Sequence, residues 1–280
     1  WSAKAGTTVG VSNGGSCRRS SGGRQEVLSL RRYWNVFAVV GCLLYLTGCS
    51  QRGAVTGVSQ SSQGRVAVRI GDTAEYSLNT RLAHSVGKDA SLRAIGSKRY
   101  TVVAGANHGR SLPSFIIRTY ELREDSKQRA GLMSRSRTFV SWLGEDQSGN
   151  IYLLGESLEG VEWDVVTDAN PPLQWPCAIK EGDSWEYSAH FASGGVETVS
   201  FKCVGTERLK TPAGEYDALK LSLAMSHTRL GVDTTGYTWV TPSLPFLFEL
   251  RDEYSAKVSL SAASGNVEQV HVLEGYTPAR

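Results

Sequence analysis

Residues 182–191, Gly182–Asp183–Ser184–Trp185–Glu186–Tyr187–Ser188–Ala189–His190–Phe191, open on a turn dipeptide and then alternate with period two. Trp185, Tyr187, Ala189 and Phe191 share one face of an extended chain, and Glu186, Ser188 and His190 share the other. That is the pattern of a strand with one buried and one solvated side. It returns in Val199, Phe201 and Cys203 against Thr198, Ser200 and Lys202, and again in Leu219, Leu221, Leu223 and Met225 against Lys220, Ser222, Ala224 and Ser226. Turn residues separate apolar runs at Ser193–Gly194–Gly195, Thr211–Pro212–Ala213–Gly214 and Ser148–Gly149–Asn150. Further strands are expected at 99–104, 115–122, 137–143, 150–155, 236–241, 246–251 and 266–273. No stretch after Arg65 keeps helical period for twelve residues, and 81–95 is the best place for one short helix. The expected fold is all-β: a curved antiparallel sheet or half barrel spanning residues 65–280.

One internal echo bears on organisation. Gly71–Asp72–Thr73–Ala74–Glu75–Tyr76 returns 111 residues later as Gly182–Asp183–Ser184–Trp185–Glu186–Tyr187. Either Gly-Asp turns simply precede strands, or two related meanders share one sheet.

The N-terminal part reads differently. Residues 1–26 are Gly/Ser-rich and of low complexity, an upstream or disordered lead, with a start expected near Val27 or Leu28. Arg31–Arg32 then precede the eleven-residue apolar run Val36–Leu46, closed by Thr47–Gly48–Cys49. A basic region, a short apolar core and a small-residue cleavage site make residues 27–48 a secretory signal. The run is too short for a bilayer, which needs roughly 20 apolar residues. Leu46–Thr47–Gly48–Cys49 resembles the lipobox of bacterial lipoproteins. The resemblance implies a diacylglyceryl group on the Cys49 sulfur and cleavage before Cys49, and hence a membrane as the first partner. Residues 49–64 are rich in Ser, Gln and Gly and are expected to form a flexible tether. Ser50 follows Cys49 where an inner-membrane retention signal would place Asp. In a Gram-negative cell that implies the outer membrane, facing the periplasm.

Charge narrows the partners. Of 30 basic and 27 acidic residues, six basic and one acidic lie in 1–48, leaving 24 against 26 and turning a formal +3 into −2. The basic balance belongs to the leader, so no nucleic-acid partner is expected.

The order Gly182–Tyr187, Val204–Gly205–Thr206–Glu207, Thr211–Lys220 and Tyr237–Pro242 resembles a widespread set of bacterial envelope proteins, similar to the lipoprotein-carrier (Lol) half barrels. The likeness covers 181–252 well and 65–180 loosely. Ser243–Leu244–Pro245–Phe246 departs from the glycine turn usual there. These motifs specify turns and strand starts, so the resemblance implies fold and location and carries no catalytic residue.

Signals of chemistry are sparse. His84, His108, His190, His227 and His271 have no second ligand at a metal spacing. His190 and His271 fall on presumed polar faces. No Gly-x-Ser-x-Gly elbow occurs, and Gly87–Lys88 lacks the glycine of a phosphate loop. Glu121/Glu124/Asp125 and Glu249/Asp252/Glu253 read as solvated strand ends rather than acid–base pairs. No catalytic, metal or cofactor-binding residue is assigned, and no cofactor is expected.

Cys177 and Cys203 remain after Cys49; an oxidising compartment favours a disulfide between them, against two buried thiols. Trp185 and Trp239 read as core, Trp163 and Trp175 as a rim or lid beside Pro171–Pro172. The expected function is a non-catalytic, lipid-anchored envelope protein binding an apolar ligand or a protein partner. A structural or assembly subunit is the alternative, and an envelope hydrolase the third reading. An open apolar cavity would favour carriage; a filled interior with an apolar outer patch would favour assembly.

Overall fold

Thirteen strands run through the residues that the computed structural model describes, namely 66–84, 91–105, 112–125, 135–158, 164–229, 231–260 and 263–280. They are β1 (Thr73–His84), β2 (Ser91–Ala104), β3 (Ser114–Asp125), β4 (Arg135–Glu145), β5 (Ile151–Leu158), β6 (Asp164–Val165), β7 (Leu173–Trp175), β8 (Ser184–His190), β9 (Val196–Thr211), β10 (Gly214–His227), β11 (Val232–Val240), β12 (Arg251–Leu260) and β13 (Ala263–Thr277). All belong to one antiparallel sheet of order β6-β5-β4-β3-β2-β1-β13-β12-β11-β10-β9-β8, with β7 beside β5. No helix occurs among the described residues.

The sheet is open but rolled. Its ends touch at a single bridge, Val166 to Phe191, supported by Thr167 N donating to His190 O (2.8 Å) and Ala192 N to Val165 O (2.9 Å). A sheet whose outermost strands meet encloses its concave face, and right-handed strand twist favours that rolling.

The sequence echo is structural. Arg69 N donates to Asp72 Oδ2 (2.8 Å) and Lys180 N to Asp183 Oδ2 (2.9 Å). Gly71 N donates to Val102 O as Gly182 N does to Cys203 O, and Asp72 O and Asp183 O accept from Val102 N and Cys203 N. Gly71 (φ 101°) and Gly182 (φ 88°) take the left-handed backbone that each turn requires. The two turns are therefore built alike, and each launches a meander of the same sheet. The first strand of one, β1, pairs on its far side with β13, whereas among the described residues β8 has a strand partner only in β9.

Two expectations are corrected. The short helix at 81–95 is not formed: β1 ends and β2 begins there, with Arg81 opposite Arg93 and Ala83 opposite Ser91. Cross-strand pairing overrides a weak local helical pattern. The strand expected at 246–251 is a buried turn segment, and β12 starts only at Arg251. Pro242 and Pro245 interrupt the ladder, and the chain instead delivers Leu244, Phe246, Leu247, Phe248 and Leu250 to the core. The Phe248 ring lies 6.2 Å from Tyr100 and 5.4 Å from Tyr276.

The tryptophans partly exchange roles. Trp175, expected at a rim, is buried 5.3 Å from Phe201. Trp185, expected in the core, is half-buried, stacked 4.8 Å from Phe201, and its indole N–H donates to Gln174 O at 3.2 Å. Trp239 is buried as expected, but faces away from Thr238, beneath Lys220 (4.8 Å to the ring) and Arg251 (5.5 Å). Trp163 lies outside the described residues.

Candidate functional site

Alternation turns every second residue of a strand inward, and register decides which of these side chains meet. Lys98 on β2 lies opposite Glu121 on β3 and Tyr76 on β1. His271 on β13 lies opposite Leu78 on β1 and Asp252 on β12, and Asp252 opposite Thr238 on β11. A row of polar side chains therefore crosses the concave face, and none of Lys98, Glu121, His271, Asp252 or Thr238 is more than 3% exposed.

The row is bonded from end to end of its central part. Lys98 Nζ lies 3.0 Å from His271 Nδ1 and sits over the rings of Tyr100 (4.7 Å) and Tyr76 (5.2 Å). Asp252 Oδ2 is 3.4 Å from the same Nδ1, and Thr238 Oγ1 donates to Asp252 Oδ1. Burial, then the Lys98 charge, push His271 down to about 4, so its imidazole is neutral at pH 7. Lys98 Nζ faces its Nδ1, and the Gln269 amide nitrogen faces its Nε2. Burial, aided by Asp252 and opposed by Lys98, pushes Glu249 up to about 8. Its Oε2 is buried and accepts no hydrogen bond. The Tyr76, Tyr100 and Tyr254 phenols are raised well above their usual value, chiefly by burial.

Lys, His, Asp, Glu and Tyr together are the components of acid–base chemistry, but these groups are sealed. The arrangement holds Lys98, Glu121, His271 and Asp252 in the interior, each at most 2% exposed.

A second polar group fastens the seam where the sheet ends meet. Asp164 accepts from Ser193 N (3.0 Å) and Ser193 Oγ (2.6 Å), and Asp168 from His190 N (2.9 Å), with His190 Nδ1 2.9 Å from its other oxygen. These carboxylates tie β6 and its continuation to the β8–β9 hairpin.

Set against the sequence, His190 is exposed as expected, while His271 is fully buried and Glu121 and Asp252 are inside rather than solvated. The side chains of His84, Glu124 and Asp125 lie outside the described residues, as do His108 and Cys49. The Cys177–Cys203 bridge is not formed: both are free thiols. The Cys203 sulfur is turned to Gly205 O at 3.8 Å, and Cys177 is held at the β4–β5 turn, its N donating to Asn150 Oδ1 (2.8 Å). Lys98 and Gln269 escaped notice in the sequence, where a lone polar residue within an alternating run looks solvated. Among the described residues, no three His, Cys, Asp or Glu side chains gather to hold a metal ion.

No protein-family model matches the chain, and no curated protein matches it. Two solved structures are similar to it. One, from Bacteroides fragilis NCTC 9343, is provisionally described as an exported protein with a YmcC-like fold; it is 16% identical, covers 76% of this chain and 98% of its own, with a TM-score of 0.32. The other, from Parabacteroides distasonis ATCC 8503, is provisionally described as a lipoprotein; it is 14% identical, covers 75% of this chain and 97% of its own, with a TM-score of 0.31. At these TM-scores the likeness carries no argument about this chain.

Proposed function

We propose that the chain is a lipid-anchored protein of the cell envelope, acylated at Cys49, whose β domain binds a protein partner and catalyses no reaction. The filled interior carries this reading. A carrier of acyl chains needs an apolar cavity of roughly 300–1,000 Å³. Here the concave side is occupied by Tyr76, Tyr187, Phe246 and Phe248, which have almost no exposed surface, and the segment 241–250 is folded into it. An apolar ligand on that side would have to displace these buried side chains. The sealed polar row argues in the same direction against catalysis. What remains for recognition is the outer surface, where Tyr237 and Val204, and elsewhere Ile95 and Tyr120, are exposed. Ser50, next to Cys49, favours the outer membrane in a Gram-negative cell.

Native mass spectrometry of the detergent-extracted, lipidated protein tests the reading. The expected species carries the Cys49 acyl chains and a bound protein subunit, with no further lipid. A stoichiometric second lipid would overturn the choice of a protein partner. Normally cleaved, membrane-released protein from a Cys49→Ser variant would overturn the anchor.

A further inference from the structure

The turns that launch β1 and β8 match position by position. Arg69 corresponds to Lys180, Gly71 to Gly182 and Asp72 to Asp183, with the same hydrogen bonds in each. Between the cation and the glycine, one turn carries Glu181 and the other Ile70. The bonds that form the turn come from its other members, so the geometry asks for no apolar side chain there. Glu181 is an ordinary solvated turn residue. Ile70 is 62% exposed, the most of any large apolar side chain among the described residues, and Val66, four positions earlier, is 37% exposed. Two uncovered apolar side chains thus sit on the short arm leading into β1.

Cations flank them. Arg69 is exposed, and Arg280, also exposed, belongs to the same rim. Ala279 N donates to Asp72 Oδ1 at 2.8 Å, and the Ala279 Cβ lies 3.3 Å from where a Cβ on Gly71 would be. An apolar tip beside exposed arginines is the chemistry of an interfacial membrane contact: the aliphatic groups enter the boundary of the acyl region and the guanidinium groups meet phosphates.

We infer that this arm is the membrane-contact edge of the domain, with Ile70 and Val66 seated in an anionic phospholipid bilayer and Arg69 and Arg280 facing its phosphate groups. The inference rests on the reading of Cys49 as a lipid anchor. Sixteen residues separate Cys49 from Val66, a span of at most about 60 Å even when fully extended. The arm is the part of the described domain nearest to the anchor along the chain. β1 and β8 run in the same direction, because six antiparallel steps separate them in the sheet, so the Glu181 turn lies on the same rim. Its acid stays in water, and the domain leans on its β1 side.

The test uses the full-length lipidated protein in vesicles of phosphatidylcholine and phosphatidylglycerol. A Cys177→Ser background leaves only the buried Cys203 in the described domain. The Ile70→Cys variant and, separately, the Glu181→Cys variant are labelled with the fluorophore NBD. The expected result is a blue-shifted emission at position 70, quenched by spin-labelled acyl chains, and a water-like emission at position 181. Water-like emission at both positions, from protein that floats with the vesicles, overturns the inference and leaves the anchor intact. Blue-shifted emission at position 70 that spin-labelled lipid does not quench means that a protein covers Ile70, and overturns it equally. Protein that does not float at all overturns the anchor, and the inference with it.

Discussion

Lys98 on β2 and His271 on β13 stand 173 positions apart in the chain, and their side-chain nitrogens meet at 3.0 Å inside the fold. The contact exists because β1 lies between their strands and holds both in register. It joins the two meanders through polar atoms, as part of a buried row that also holds Glu121, Asp252 and Thr238.

Replacing Lys98 by Met keeps an unbranched apolar stem and removes the cation of the row. Asp252 then stays buried without it, and breaking a buried ionic network from one side costs about 3–5 kcal/mol. Urea unfolding of the two proteins at pH 7 measures the difference. A loss below about 1 kcal/mol would show that the row contributes little as an ionic network.

Two buried groups give stability opposite pH slopes. Glu249 is raised from 4.5 to about 8 in the fold, so its contribution is complete below pH 4.5 and is lost as pH rises towards 8. His271 is lowered from 6.5 to about 4, so its contribution is complete above pH 6.5 and is lost as pH falls towards 4. Between 4.5 and 6.5 these two slopes oppose each other; above 6.5 only Glu249 of the pair still acts, together with Glu156, which burial and Asp164 also raise well above its usual value. Glu249's own share of the fall in stability between pH 6.5 and 8 is expected to be at most about 2 kcal/mol, at 1.36 kcal/mol per pH unit. The Glu249→Gln variant should lose that share in denaturant titrations at the two pH values; an unchanged slope refutes the assignment.

Gly236 on β11 faces Tyr254 on β12 with no room for a side chain. A Cβ there would lie 2.1 Å from Glu253 O and 2.9 Å from Tyr254 Cα, both backbone atoms that cannot move alone. Gly236→Ala is expected to destabilise by about 3 kcal/mol or more. Gly205, where a Cβ would meet nothing within 4 Å, is the control, and Gly205→Ala should leave the thermal midpoint within a few degrees of the parent.

Cys177 and Cys203 should alkylate as two separate thiols. Burial pushes the Cys203 thiol up, and its side chain is enclosed, so it should react only after unfolding. Half-buried Cys177 should react first. Mass spectrometry of the unreduced domain, alkylated in native buffer and then in denaturant, reads both additions. A mass lower by two hydrogens, with no alkylation in denaturant, would restore the disulfide.

What the sequence determined by itself was local: the alternation in 184–191, 199–203 and 219–225, the Gly-Asp turns before β1 and β8, and the Pro- and Gly-marked breaks. Each depends on a few neighbouring residues, through backbone sterics and the two-residue period of a strand. The stretch Leu46–Cys49, on which the expected anchor rests, is local in the same way. Register and closure were decided only by the tertiary structure. Whether His271 faced water or Lys98 depended on β1 lying between β2 and β13, and a one-residue shift would have turned it outward. The seam at Val166 and Phe191 and the folding of Phe246 and Phe248 into the concave face depend equally on distant strands arriving together. A strand's pattern shows that one face is buried; only its neighbours decide what that face is buried against.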